Sequence, residues 1–112
     1  MGKQKRVTVV VAEPGKQPEA REVDNTLAAL QALVGGYLEC QPWGTYYIWM
    51  NEDGRRLSLP YNRAVADQMY LGTIFVAKTA KCGDMVGLTE KEIGEVCLWL
   101  HLPARFASVG GG

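Results

Sequence analysis

The sequence has few of the residues on which catalysis and metal binding usually depend. It contains one histidine, His101, and three cysteines, Cys40, Cys82 and Cys97, in 112 residues. The cysteines lack the paired spacing of a zinc site, and nothing links His101 to a serine or cysteine nucleophile. We therefore expect no metal, no cofactor and no catalytic residue, and we predict that Cys40 and Cys97 are small core residues.

The chain also lacks excess charge and long apolar runs. Twelve Lys and Arg residues offset twelve Asp and Glu residues, so no overall field favours nucleic acid or an anionic membrane. No apolar run approaches the roughly 18 residues that cross a bilayer, and the basic start lacks the apolar core of a signal peptide. We expect a cytoplasmic protein that binds neither membranes nor nucleic acids.

Apolar content, in contrast, is ample for one hydrophobic core. Hydrophobic residues make up 47% of the chain, and its length is that of an ordinary single domain. We predict one domain over residues 1–107, followed by a flexible glycine-rich tail at residues 108–112.

Four strands are predicted in the first half of the chain. The β-branched run at residues 6–13 is typical of a central strand with both faces covered, and residues 20–23 can pair back onto it as an edge strand. A hairpin is expected from a strand at 37–42 and an aromatic strand at 46–51, with its turn at 42–45.

Two helices are predicted. In the first, the apolar residues of segment 25–34 recur at helical spacing, Asp24 or Asn25 can cap its start, and Gly35-Gly36 can end it. In the second, Thr89 and Glu92 have the spacing of a capping box. The apolar face of this second helix consists of Ile93, Val96, Cys97 and Leu100.

The middle of the chain completes the prediction of fold class. Residues 56–59 read as a short strand, residues 62–69 as a helical turn and residues 72–78 as another strand. Strands that are grouped together with two helices indicate an α+β fold. We expect an antiparallel or mixed sheet of about five strands with two main helices packed on it.

The segment L-P-Y-N-R at residues 59–63 is the strongest candidate for a ligand site. Tyr61 offers an aromatic face and a hydroxyl, Asn62 can donate and accept, and Arg63 presents a planar fork suited to phosphate or carboxylate. The other interpretation is structural: Asn62 bonds its neighbouring backbone and Tyr61 packs on the core. Arg63 then pairs with Glu39, Asp53 or Asp67.

Further residues are candidates for the same ligand. Arginines could contact phosphates, aromatic rings could stack on a base, and a glycine pair could let a ligand approach the main chain. These additional candidates are Arg55, Arg56, Gly35, Gly36, Tyr37, Trp43 and Asn51.

The aromatic hairpin at residues 42–51 supports a second interpretation. Its rings outnumber those that a small core needs, and exposed aromatic residues beside arginines are typical of binding surfaces. The alternative function is therefore a protein-binding module that inhibits a host protein through this hairpin.

Seven motifs occur in order along nearly the whole chain: P-G-K-x-P-E at 14–19, D-N-T-L at 24–27, V-G-G-Y-x-E at 34–39, N-E-x-G at 51–54, L-P-x-N-R at 59–63, G-T-I-x-V at 72–76 and L-T-E-K-E-I at 88–93. Together they resemble a small family of unknown function that recurs in bacteriophages and other mobile elements. The chain departs from that pattern in its aromatic hairpin, at residues 43–49, and in extra residues near 78–84.

This resemblance implies an accessory or counter-defence protein of phage type that acts by stoichiometric binding in the cytoplasm of a host bacterium. The partner would be a small nucleotide-derived signal, such as a cyclic nucleotide or an ADP-ribose-type messenger, or else a host defence protein. The resemblance brings no catalytic residues. We also expect a homo-oligomer, because two copies would enclose a ligand better than one small domain.

Overall fold

The computed structural model of the protein describes residues 4–80 and 83–103, so Cys82 and the expected tail at residues 108–112 lie outside the described residues. Within those ranges the chain forms eight strands and two helices: β1 (Arg6–Ala12), β2 (Glu19–Asp24), α1 (Leu27–Val34), β3 (Leu38–Trp43), β4 (Tyr46–Asn51), β5 (Tyr61–Val65), β6 (Gln68–Leu71), β7 (Ile74–Thr79), β8 (Met85–Val86) and α2 (Glu90–Leu100).

Six of the strands form one antiparallel sheet, in the order β2-β1-β7-β4-β3, with β8 paired to the end of β7. The α+β prediction is confirmed, with one more strand in the sheet than the five expected. The strand β2 pairs back onto β1 at the edge, as predicted. The remaining two strands, β5 and β6, pair as a separate hairpin.

Both faces of the sheet are covered, because side chains along each strand alternate in direction. On β1, Val9 and Val11 pack on the α1 side, whereas Val10 and Ala12 pack on the α2 side. Both cores continue onto β7, where Phe75 belongs to the α1 side. The prediction of a central strand that is buried on both faces is confirmed for β1.

The helix α1 begins one or two residues later than predicted. Its cap is Thr26, whose Oγ1 accepts a hydrogen bond from the Ala29 N–H at 3.1 Å. Asp24 still belongs to β2, and Asn25 is buried and donates instead to the backbone carbonyls of residues 4 and 85. The helix ends as predicted at Gly35, which takes the left-handed conformation with φ 79°.

The helix α2 begins with the predicted capping box. The Glu92 N–H donates to Thr89 Oγ1 at 3.2 Å, and the Thr89 N–H donates to Glu92 Oε1 at 2.9 Å. The predicted apolar face packs on the sheet, with Val96 and Leu100 fully buried and Cys97 partly buried. The corresponding prediction for Cys40 is wrong, because this residue lies on the outer strand β3 and is exposed.

The sequence interpretation fails between β4 and β7. Residues 56–59, predicted as a strand, form turns, and residues 62–69, predicted as a helical turn, belong to the β5–β6 hairpin. Two residues, Ala66 and Asp67, connect these strands, and both have positive φ, as a tight hairpin turn of type I′ requires. Glycine or asparagine usually signals such a turn, and neither occurs here.

Neither α1 nor α2 has the length and apolar character that a membrane-spanning helix needs.

Candidate functional site

A cavity of about 420 Å³ lies where strand β5 meets the carboxyl end of α2. This volume falls within the range that is usual for small-molecule sites. We call it the Arg63 cavity. Its walls include Gly15, Tyr61, Asn62, Arg63, Trp99, His101, Leu102 and Pro103.

Arg63 is buried beside this cavity, with only 4% of its surface exposed. Its Nε donates to Asn62 Oδ1 at 2.7 Å, and its Nη1 donates to the Leu100 carbonyl. Its Nη2 donates to the carbonyls of Glu13, at 3.2 Å, and Lys16, at 2.5 Å. The guanidinium therefore joins three parts of the chain: strand β5, the turn between β1 and β2, and the end of α2.

No carboxylate of the described residues pairs with Arg63. The predicted pairing with Glu39, Asp53 or Asp67 is thus wrong, because the β5–β6 hairpin directs the guanidinium towards backbone carbonyls instead. Burial lowers the pKa of the Arg63 guanidinium from its ordinary value. Within the described residues, the guanidinium bonds to carbonyl dipoles, including that of Leu100 at the negative end of the α2 dipole.

Asn62 is also buried, and it holds the guanidinium in place. Its Nδ2 donates to the carbonyls of Ala12, at 2.8 Å, and Gly72, at 2.7 Å, while its Oδ1 accepts from Arg63. The expected bond to neighbouring backbone is wrong, since Ala12 and Gly72 are 50 and 10 residues away. Asn62 thereby ties the hairpin to the end of β1.

Two aromatic side chains stand at the cavity with about half of their surfaces exposed. Tyr61 is 56% exposed, so the interpretation in which it packs on the core is wrong, and Trp99 is 53% exposed. The sequence analysis did not identify Trp99. The available signal was a tryptophan outside the apolar face of α2, where a large aromatic residue is not needed for packing on the sheet.

The wall after α2 is held by a side chain from the opposite end of the chain. The Gln17 amide donates to the Leu102 carbonyl at 2.7 Å, and the Leu102 N–H donates to Gln17 Oε1 at 2.8 Å. This pair of bonds positions residues 101–103 against the turn between β1 and β2. Sequence reasoning missed Gln17, because 85 residues separate it from its partner.

A family model described as a domain of unknown function, DUF3846, matches residues 7–101. The chain belongs to this family. No curated protein and no solved structure matches the chain. The expectation of a family without assigned function is confirmed, and the DUF3846 match includes every residue of the Arg63 cavity wall except those after His101.

Four other candidate residues of the DUF3846 chain gather where α1 ends against β4, away from the walls of the Arg63 cavity. Asn51 donates from Nδ2 to the Val34 carbonyl at 3.2 Å, and its Oδ1 accepts from the Asp53 N–H at 2.8 Å. A Cβ on Gly36 would lie 2.7 Å from Asn51 Nδ2, so the close packing needs glycine there. The other two candidates in this region are Gly35, which ends α1, and Tyr37, which is 67% exposed.

The two candidate arginines of the loop after β4 do not line the Arg63 cavity either. Arg55 lines a separate polar cavity of about 260 Å³, together with Glu39 and Glu52. Arg56 pairs with Asp53 at 3.1 Å on the exposed surface. The structure therefore brings Tyr61, Asn62 and Arg63 together and leaves these two arginines elsewhere.

The aromatic hairpin forms a further surface. Trp43 meets Trp99 edge to face, with ring centroids 5.4 Å apart, and Tyr46 lies 6.1 Å from each of them. These three rings line an open cavity of about 410 Å³ that shares Trp99 with the Arg63 cavity. Trp49 faces the other side of the sheet and stacks on Phe75 at 6.0 Å.

Among residues 4–80 and 83–103, no three His, Cys, Asp or Glu side chains are grouped so as to hold a metal ion. The Arg63 cavity instead combines aromatic rings with one buried cation. That combination suits binding of an anion attached to a flat ring.

Proposed function

We propose that this protein is a non-enzymatic binding module that sequesters a small nucleotide-derived ligand, a cyclic nucleotide or an ADP-ribose-type signal, in the Arg63 cavity. One observation supports this above the others. A buried guanidinium without a carboxylate partner among the described residues lies at the wall of a cavity of ligand size. An anionic group of the ligand would supply the missing negative charge.

The aromatic walls suit the rest of such a ligand. Tyr61 and Trp99 present rings that are about half exposed, and a nucleobase gains about 1–3 kcal/mol by stacking on an aromatic side chain. The cation would hold the phosphate, and the rings would hold the base. Sequestration requires nothing more than this binding, so no catalytic group is needed.

The motif series that resembles proteins of bacteriophages and mobile elements extends the proposal to a biological role. We infer an accessory or counter-defence protein that acts in the cytoplasm of a host bacterium by removing a signalling nucleotide from solution. A second copy of the chain over the open side of the Arg63 cavity would complete the enclosure, which is the basis for expecting a homo-oligomer.

The test is calorimetric titration of cyclic nucleotides and ADP-ribose into the protein and into two variants, Tyr61→Ala and Trp99→Ala. Each variant is expected to bind at least about fivefold more weakly, because it loses one stacking surface worth about 1–3 kcal/mol. The melting temperature should change little for Tyr61→Ala, since this ring is half exposed, and more for Trp99→Ala, whose ring also packs against Trp43 and Tyr46.

The matched control is Tyr37→Ala, which removes another exposed tyrosine, 67% against 56% for Tyr61, that does not line the Arg63 cavity. It should bind like the unaltered chain. The proposal fails if no nucleotide binds, or if Tyr37→Ala weakens binding as much as Tyr61→Ala does.

The aromatic hairpin supports a second candidate function, inhibition of a host protein by direct contact. Trp43 and Trp99 form an edge-to-face pair in which Trp99 is 53% exposed, and large exposed apolar side chains of this kind are typical of protein interfaces. Trp43 does not line the Arg63 cavity. Trp43→Ala should therefore abolish capture of a host protein if this second function is right, and should leave nucleotide affinity unchanged if the first is right.

A further inference from the structure

We infer that the Arg63 cavity selects for a ligand group with a single negative charge, a phosphodiester or a carboxylate, and against phosphomonoesters and polyphosphates. This inference rests on the proposed function, because it concerns the same site, and it narrows the ligand to the cyclic-nucleotide class, since the diphosphate of an ADP-ribose-type signal carries two negative charges. It follows from the hydrogen bonds and charges of the described residues at the cavity wall.

Arg63 has few N–H donors left for a ligand. A guanidinium has five N–H groups. Four of them have acceptors within the protein: one on Nε, one on Nη1 and two on Nη2. Among the described residues, one N–H of Nη1 has no acceptor, so a ligand oxygen can form a single charge-assisted bond with it. The bidentate pair of hydrogen bonds by which arginine usually binds a terminal phosphate is therefore not available.

The Arg63 guanidinium cannot rotate to present more N–H donors to a ligand. Its acceptors lie in three separate parts of the chain, at Asn62, at Leu100 and in the turn that contains Glu13 and Lys16. Any rotation that freed a second N–H for a ligand would leave a buried carbonyl or amide oxygen without a donor. Each such loss costs about 1–3 kcal/mol, so the observed orientation persists when a ligand binds.

The charges at the cavity wall also favour a ligand group with a single negative charge. Within residues 4–80 and 83–103, Arg63 is the one lysine or arginine that lines the cavity, and no aspartate or glutamate lines it. A singly charged group would bring the buried charge to zero. A doubly charged phosphomonoester would leave one negative charge uncompensated beside apolar walls such as Leu100 and Pro103, and burial of an unpaired charge is strongly unfavourable.

The test compares ligands that share one base and differ in charge, by calorimetric titration at pH 8. At that pH a phosphomonoester, whose second pKa is about 6, is a dianion. The series consists of adenosine, 3′,5′-cyclic AMP, AMP and ATP, and it is repeated with the guanine compounds. Indole-3-acetate forms a separate arm, which reports whether a carboxylate on a flat ring is accepted as well as a phosphodiester.

We expect the cyclic nucleotide to bind at least about tenfold more tightly than AMP, with ATP weaker still and neutral adenosine also weaker than the cyclic nucleotide. The order should persist in His101→Gln, which replaces the imidazole at the wall by a neutral amide. The unaltered chain carries the main comparison because Arg63 also supports the fold.

The outcomes separate the two proposals. If affinity rises with charge from adenosine to ATP, the protein still binds nucleotides and the selection for a single charge is wrong. If none of the compounds binds, the proposed function fails and this inference fails with it. If the cyclic nucleotide binds most tightly to the unaltered chain but not to His101→Gln, the selection depends on His101. Selection by Arg63 alone is then wrong.

Discussion

The two faces of the central sheet are stabilised in different ways. On the α1 face, Leu30 and Val34 pack against Phe75 and the β1 valines, and the buried amide of Asn51 joins the end of the helix to β4. The α2 face has a similar apolar core, but it also holds the β5–β6 hairpin with a buried guanidinium and a cavity. Packing accounts for the first face, whereas the second contains a buried charge that packing does not explain.

This difference is the reason for placing the proposed ligand on the α2 face. Asn51 is a neutral buried amide whose bonds to the backbone complete the fold, so it has no charge for a ligand to compensate. Arg63 completes the fold as well, but it retains a charge without a carboxylate partner in the described chain and an N–H without an acceptor. Substitutions that separate these two roles test the comparison directly.

The largest effect is expected from Arg63→Met. This change removes the donor of four hydrogen bonds, and each buried oxygen left without a donor lowers the free energy of unfolding by about 1–3 kcal/mol. Urea denaturation would measure it. Arg21→Met is the control, because Arg21 pairs with Glu13 and Glu19 near the surface, where such pairs contribute less than about 1 kcal/mol. Equal losses in the two variants would show that burial of Arg63 has no energetic importance.

A smaller effect is expected from the two buried asparagines, and it distinguishes the two faces. Asn62→Ala and Asn51→Ala should each lower the free energy of unfolding by about 1–3 kcal/mol, because each leaves buried backbone groups without partners. Only Asn62→Ala should also weaken ligand binding, since it releases Arg63 Nε.

The measurements for this pair are urea denaturation and calorimetric titration on the same samples. If Asn51→Ala impaired nucleotide binding as strongly as Asn62→Ala, the assignment of the ligand to the α2 face would be wrong.

The smallest effect concerns an ordinary ion pair on the α2 face. Glu92 accepts from Lys78 Nζ at 2.7 Å and from the Thr89 N–H at 2.9 Å, and these bonds hold the pKa of Glu92 below its ordinary value. A carboxyl whose pKa is lower in the folded state stabilises the fold at neutral pH. That contribution, less than about 1 kcal/mol, is lost as the pH falls through the folded-state pKa.

Glu92→Gln should therefore be less stable than the unaltered chain at pH 7, and the difference should shrink towards pH 3. Glu90→Gln is the control, because Glu90 lies in the same first turn but outside the capping box. Urea denaturation at both pH values measures the change. A gap that stayed constant between pH 7 and pH 3 would contradict the lowered pKa of Glu92.

The parts of the fold that were predictable are those with local signals. The capping box of Thr89 and Glu92 lies within four residues, and the β-branched run of β1 specifies a strand buried on both sides. The hairpin of β5 and β6 gave no such signal, because Ala66 and Asp67 occupy turn positions where glycine or asparagine is the usual marker.

The candidate site was predictable in its residues but not in its contacts. The chemistry of Tyr61, Asn62 and Arg63 marked the segment as suited to a ligand. Arg63 finds its acceptors 37 to 50 residues away, apart from the adjacent Asn62, and Trp99 joins the same cavity from the last helix. Neither the contacts of Arg63 nor the position of Trp99 at the cavity has a characteristic sequence spacing, so neither could be recognised from the sequence.

The sequence by itself determined the α+β class, both helices, the central strand and the membership in a family without assigned function, because each depends on local pattern or on motif order. The tertiary structure alone decided that Arg63 is buried, that backbone carbonyls hold it and that a cavity lies beside it. The physical reason is that burial and charge compensation depend on which distant segments meet, and here the hairpin, the turn after β1 and the end of α2 meet at one guanidinium.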